Sequence, residues 1–142
     1  MKLTVANHVI RAYNVTASEV GALLDEHPYT TRQAVYDRLS GFVAPSLPPS
    51  PAMRFGNEAE PILARMFHDL TGLTVRANAR TYVHPRVRLC ATPDAIVIGQ
   101  PVLVEYKTSW SQWRWKHGLP ADIEWQARAQ MACTHRKEVI VY

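Results

Sequence analysis

Between Pro93 and Lys107 the chain sets one carboxylate, Asp94, ahead of an apolar run. A turn and a second apolar run carrying Glu105-Tyr106-Lys107 follow. Ile96 to Ile98 and Val102 to Tyr106 are β-branched or aromatic enough to be strands, and Gly99-Gln100-Pro101 is turn chemistry. Side chains alternate along a strand, so Glu105 and Lys107 share one face while Val104 and Tyr106 take the other. A hairpin folds Asp94 back toward Glu105, so two carboxylates and an ammonium meet in one small volume. Hard divalent cations take oxygen ligands, and Mg²⁺ keeps several waters beside one or two carboxylates. A lysine there can position a water or steady a phosphate oxyanion. The bland alternative is a turn aspartate and a solvated Glu-x-Lys strand face, and the fifteen residues by themselves leave both readings open.

Other groups bear on that choice. In Arg54-Phe55-Gly56-Asn57-Glu58-Ala59-Glu60-Pro61, Glu60 falls in the expected first turns of a helix, as a solvated carboxylate or as a third acid facing the hairpin. Glu58 fits the solvated role equally. Ser18 lies at a capped helix start, where unpaired amides attract anions, with Arg11 just upstream; a phosphate fits there, and so does a plain cap with a surface arginine. Gln126 and Gln130 stand i, i+4 on a late helix, and Gln126 could orient a water or reach phosphate. Trp110, Trp113, Trp115 and Trp125 interleave with Arg114, Lys116 and His117, a mixture able to stack bases and neutralise phosphates. Core packing is the commoner use of tryptophan, and at least two of the four are expected to be buried. The six histidines form no zinc-type pair. Cys90 and Cys133 belong to no Cys-x-x-Cys motif and read as small buried apolar residues in a reducing cytoplasm.

The elements that must position these groups can be read in order. Thr16-Ala17-Ser18-Glu19 is a capping box, followed by Val20, Leu23 and Leu24 at helical spacing and ended by Pro28. A second helix starts near Thr30 or Thr31 and turns Ala34, Val35 and Leu39 inward before Gly41. Residues 44–51 form a proline-rich loop internal to a single domain, 1–142. Beyond it Phe55, Ala59, Ile62, Leu63, Met66, Phe67 and Leu70 trace one helical face closed by Thr71-Gly72, with Pro61 tolerable only near a first turn or a kink. Leu73 to Arg76, Arg80 to Val83 and Val87 to Ala91 read as strands, Ile123 to Cys133 as a helix after Pro120, and Val139 to Tyr142 as a strand. The fold class expected is α/β (α+β), with one central, mostly antiparallel mixed sheet flanked by helices.

Bulk properties agree. A chain of 142 residues with 47% hydrophobic and 20% charged side chains can bury a core, and its net charge of +4 suits a polyanionic partner. No stretch is apolar for long enough to span a membrane.

Taken together, these residues resemble the lambda-type phage exonucleases and YqaJ-like viral recombinases, within the PD-(D/E)xK nucleases. Arg11 followed by Val15-Thr16-Ala17-Ser18-Glu19-Val20 is similar to the family's arginine and "ITASEV" helix start. His27-Pro28-Tyr29-Thr30-Thr31 is similar to its "SPYKT" segment, and Phe55-Gly56-Asn57-Glu58-Ala59-Glu60-Pro61 to its "WGNELEP" helix. Ala91-Thr92-Pro93-Asp94-Ala95 and Val104-Glu105-Tyr106-Lys107-Thr108-Ser109 match its core, and Gln126 to Met131 its late "QxQ" helix, with Arg128 at the second glutamine. The resemblance implies a restriction-endonuclease-like core and a metal-dependent exonuclease, acting 5′ to 3′ on linear double-stranded DNA in phage-type recombination. It implies Asp94 and Glu105 as ligands of Mg²⁺ (Mn²⁺ as substitute) and Glu60, Lys107 and Gln126 as further catalytic groups. Arg11, Ser18, Thr92 and Arg128 would bind the 5′-phosphate. Partners implied are DNA ends, a single-strand annealing protein and a homotrimer, in the cytoplasm of a bacterial host or encoded by a phage. The family continues past Tyr142, so the chain reads as truncated at its C-terminus. The alternatives are a restriction-like endonuclease of the same fold and a non-catalytic DNA-binding remnant.

Overall fold

The computed structural model describes residues 3–42, 50–109 and 111–142. Most of the proline-rich loop, positions 44–49, and Trp110 lie outside the described residues. Helix α1, Val5–Tyr13, begins where the Thr4 hydroxyl accepts the Asn7 amide. Strand β1, Val15–Thr16, leads into a 3-10 turn, Ala17–Glu19, and helix α2, Val20–Leu23. Glu19 accepts both the backbone amide and the hydroxyl of Thr16, closing the expected capping box. Helix α3, Arg32–Leu39, is capped by Thr31 and buries Val35, whereas Ala34 turns outward.

Helix α4 runs Pro51–Thr71. Its start is several residues earlier than the apolar face suggests, because Ser50 caps the Met53 amide and Pro51 occupies the first turn, where its missing N–H is no loss. Glu60 is therefore a mid-helix residue, not one of the first turns. Pro61 sits in the helix interior, where it deprives the Asn57 carbonyl of its helical donor. Gly72, at φ 71°, ends the helix in the left-handed conformation that glycine adopts without strain. Only Phe67 of the expected apolar face is fully buried, with Leu63 half-buried beside it. Phe55, Ile62, Met66 and Leu70 are exposed, so the buried stripe is narrower than the hydrophobic pattern.

The remaining strands are β2 (Val75–Ala77), β3 (Tyr82–Val83), β4 (Leu89–Ala91), β5 (Ala95–Val97), β6 (Val102–Glu105) and β7 (Glu138–Val141), with helix α5, Ala121–Thr134, before β7. They form two mixed sheets rather than one: β1-β4-β3 and β2-β5-β6-β7. The β1–β4 and β6–β7 pairs are parallel and the others antiparallel. The break has a local cause. Pro93, between β4 and β5, has no N–H for a ladder. Its carbonyl is taken by the Asn78 side chain, whose backbone amide donates to the Asp94 carbonyl. Asp94 thus sits where one sheet hands over to the next.

Val104 of β6 and Tyr106 just after it join Phe67 of α4 in one core cluster, with Ala95, Val97 and Val102. A second cluster sets Ala129 and Cys133 of α5 against Ala17 and Ala91. Both cysteines are buried and free, as expected of small apolar residues. No fully buried tryptophan occurs among the described residues. Trp113 is exposed on a 3-10 turn, Gln112–Trp115, while Trp115 and Trp125 are half-buried. Among the described residues, no helix is long and apolar enough to cross a membrane.

Candidate active site

The hairpin β5–β6 pairs Ala95 with Val104 and Ile96 with Leu103, which brings Asp94 opposite Glu105 at its open end. Asp94 Oδ2 accepts the Tyr106 amide at 2.8 Å, so the strand bearing the second carboxylate holds the first. Strand alternation turns Glu105 and Lys107 away from the Phe67 cluster and toward α5. The strand's far edge is fixed by β7 and the residue after it, since Tyr142 donates to the Glu105 carbonyl and accepts the Lys107 amide.

Glu105 is buried, with 4% of its surface exposed, and its carboxylate is met by three side-chain donors. Oε1 receives Lys107 Nζ at 2.8 Å and Gln126 Nε2 at 2.5 Å, and Oε2 receives Gln130 Nε2 at 2.6 Å. Lys107 Nζ also donates to Gln126 Oε1 at 2.9 Å, which closes a three-membered ring of side chains. These contacts give the carboxylate donors in place of the water that burial removes. Asp94 has less support. Burial, then the charge of Glu105, pushes its carboxyl up to about 7; the Tyr106 amide works against the shift, and Glu60 adds to it.

A cavity of about 500 Å³ opens onto this cluster, lined by Glu60, Asp94, Glu105 and Lys107, with Ser18 and Tyr29 on its wall. Arg114 and Trp115 line it as well; Arg114 pairs with Asp122 and lies over the Tyr29 ring. The other expected phosphate ligands stand elsewhere. Arg11 is in the last turn of α1, with its carbonyl held by Arg38, and is not part of the cavity wall. The Thr92 hydroxyl is shared with Thr81 at 2.8 Å. Arg128 pairs with Glu124 and lies over the Trp125 ring, two residues from Gln126 and so on another side of α5. Gln130, one turn on from Gln126, is the second α5 residue that reaches Glu105. Its i, i+4 relation to Gln126 is the sequence signal that marks it.

The donor set suits a hard divalent cation. Asp94 and Glu105 face one cavity with Glu60 on its wall; burial first and the Glu105 charge second raise the Asp94 pKa, and a cation held between the two carboxylates would relieve the second. Among the described residues, no group of three or more His, Cys, Asp and Glu side chains is placed to hold a metal ion, so the candidate site rests on the Asp94 and Glu105 carboxylates.

The fold and this carboxylate–lysine hairpin define a nuclease-like α+β core. The chain belongs to the YqaJ-like viral recombinase domain family, whose model matches residues 8–137. Among solved structures it is similar to an alkaline exonuclease from Laribacter hongkongensis, with 28% identity and a TM-score of 0.70 over 94% of this chain and 71% of that one. The same exonuclease in complex with dAMP gives 29% identity and a TM-score of 0.69, over 93% and 70%. A phage-related exonuclease from Haemophilus somnus shares the fold at 15% identity, with a TM-score of 0.66 over 91% and 68%. Among curated proteins none matches significantly.

Proposed function

We propose that this chain is a metal-dependent exonuclease that degrades linear double-stranded DNA from a 5′ end, using Mg²⁺ with Mn²⁺ as a substitute. The observation that carries the reading is the convergence of Asp94, Glu105 and Lys107 on one cavity, with Glu60 on its wall. Asp94 and Glu105 would hold the cation, which when bound supplies charge neutralisation and a more acidic water. Lys107 has three N–H donors, and Glu105 and Gln126 occupy two. The third is available to a phosphate oxygen as negative charge develops there. Gln126 bridges the lysine and the carboxylate, so it holds Lys107 Nζ in place without a change in its own charge.

Hydrolysis forms a bond from water oxygen to phosphorus and breaks P–O3′, releasing a nucleoside monophosphate and leaving a new 5′-phosphate on the strand. That product type agrees with dAMP bound to the similar Laribacter exonuclease. Ser18 on the cavity wall, with Arg11, is the proposed end-phosphate ligand, Thr92 and Arg128 being more remote candidates. The net charge of +4 favours DNA over neutral substrates. A single-strand annealing protein is the partner that such resection would feed, in the cytoplasm.

The test is incubation of a 5′-phosphorylated linear duplex and a closed circle with Mg²⁺, with and without EDTA. Mononucleotides from the linear duplex alone, abolished by EDTA, are the expected result. Equal nicking of the circle would make it an endonuclease. Binding without cleavage in Mg²⁺ or Mn²⁺ would make it a DNA-binding remnant.

A further inference from the structure

Gln130 is an odd residue to find where it is. It lies on the inner side of α5 among Ile123, Ala127 and Cys133, all buried, and none of its own surface is exposed. Its Nε2 reaches Glu105 Oε2 at 2.6 Å, while its Oε1 is buried without any donor. An unpaired carbonyl in a dry interior is destabilising, and an apolar side chain of the same length would fill the space without that penalty. Turning the amide over would set Oε1 against a carboxylate oxygen that Nε2 now reaches, so the Glu105 carboxylate dictates the orientation. Gln126 differs, because both ends of its amide are used, one on Glu105 and one on Lys107. The two glutamines therefore divide the carboxylate. Oε1 is shared by Gln126 and Lys107, and Oε2 is held by Gln130, with lone-pair capacity left over.

We propose that Gln130 is a positioning residue for Glu105: its buried amide fixes the plane of the carboxylate from the α5 side, so that the carboxylate meets a divalent cation in one orientation. This rests on the reading of Glu105 as a metal-holding residue. Partners that orient a metal-holding side chain typically account for about ten- to a hundred-fold in metal affinity or activity. The carbonyl left unpaired in the wild type offsets the bond lost on substitution, so stability and function should separate.

Gln130→Met in the full chain tests this with three measurements. Thermal unfolding without metal is expected within about 3 °C of wild type. Calorimetric titration with Mn²⁺, in the absence of DNA, is expected to show about ten- to a hundred-fold weaker binding. On linear duplex, kcat should fall by a similar factor while KM for DNA stays within about twofold. Unchanged Mn²⁺ affinity would overturn the proposal, as would a fall in Tm of about 10 °C that tracks the loss of function. Should Q130M fail to melt cooperatively, Gln130→Leu takes its place with the same expectations. The Mn²⁺ titration is independent of cleavage. A wild type that binds Mn²⁺ but cleaves no DNA refutes the nuclease reading, while the comparison of its Mn²⁺ affinity with that of Q130M still decides the role of Gln130.

Discussion

Replacing Asp94 by Asn should stabilise the metal-free protein while abolishing its cleavage of DNA. Burial and the neighbouring Glu105 raise the Asp94 carboxyl from 3.8 to about 7. An acid with a raised folded pKa holds its proton more tightly in the native state than in the unfolded chain. Stability therefore falls as pH rises from near 3.8 toward about 7, and levels off above it. About three pH units at about 1.4 kcal/mol each give roughly 4 kcal/mol of destabilisation near pH 8. Part of that belongs jointly to Asp94 and Glu105, so a gain of about 2–4 kcal/mol is expected for D94N. The asparagine carbonyl can still accept the Tyr106 amide, and its NH₂ can donate to Glu105 or Glu60. Near pH 5 the gain should shrink to about 1–2 kcal/mol, and near pH 3 it should vanish. Urea unfolding in EDTA at the three pH values measures it. Mg²⁺ should then raise the stability of wild type and leave D94N unmoved. A pH-independent difference, or a D94N protein weaker than wild type near pH 8, would refute the electrostatic argument.

Lys107→Ala should lower kcat by about a hundred- to a thousand-fold with DNA affinity nearly unchanged, read by single-turnover cleavage and fluorescence anisotropy. Normal turnover would make the lysine structural. Arg11→Ala should erase a preference of about ten- to a hundred-fold for 5′-phosphate over 5′-hydroxyl ends, measured as a rate ratio on both substrates. Equal rates in the wild type would count against an end-phosphate pocket. Arg38→Ala should destabilise by about 2–4 kcal/mol in chemical unfolding. Its guanidinium makes two bonds to Glu19, at 2.6 and 2.7 Å, and also donates to the carbonyls of Arg11 and Asn14. A loss below about 0.5 kcal/mol would demote it to an ordinary surface ion pair.

How far the sequence announces this structure depends on the range of the interaction. Period-two alternation from Val104 to Lys107 is local, and it agrees with Val104 and Tyr106 packing on the Phe67 cluster while Glu105 and Lys107 meet α5. The capping box at Thr16 and the glycine after Thr71 are equally local. Helix α1 has local signals of the same kind, the Thr4 cap and an apolar period through Val5, Ala6, Val9 and Ile10, yet it is not among the elements expected from the sequence. The division into two sheets rests on Asn78 reaching Pro93, a contact fifteen residues long that no periodicity encodes. The same holds for the exposed side of α4. Phe55, Ile62 and Met66 read as core because hydrophobicity marks what can be buried, while the area of the facing sheet decides what is. At the site, residue types pointed to Asp94, Glu105 and Lys107 and set Gln130 on one face with Gln126, but they did not show its contact with Glu105, which spans twenty-five positions.

The β5–β6 hairpin carries its carboxylates at the open end and its turn, residues 98–101, at the other. The turn is exposed, and Gly99 adopts a φ of 79° there with open space around it. As long as Ile96 stays opposite Leu103, the turn can be lengthened without disturbing the faces that set Asp94 beside Glu105. This makes 98–101 a natural port for a fluorophore peptide or an affinity tag. A reporter grafted there would leave the cavity untouched and ride on the same two strands that hold it.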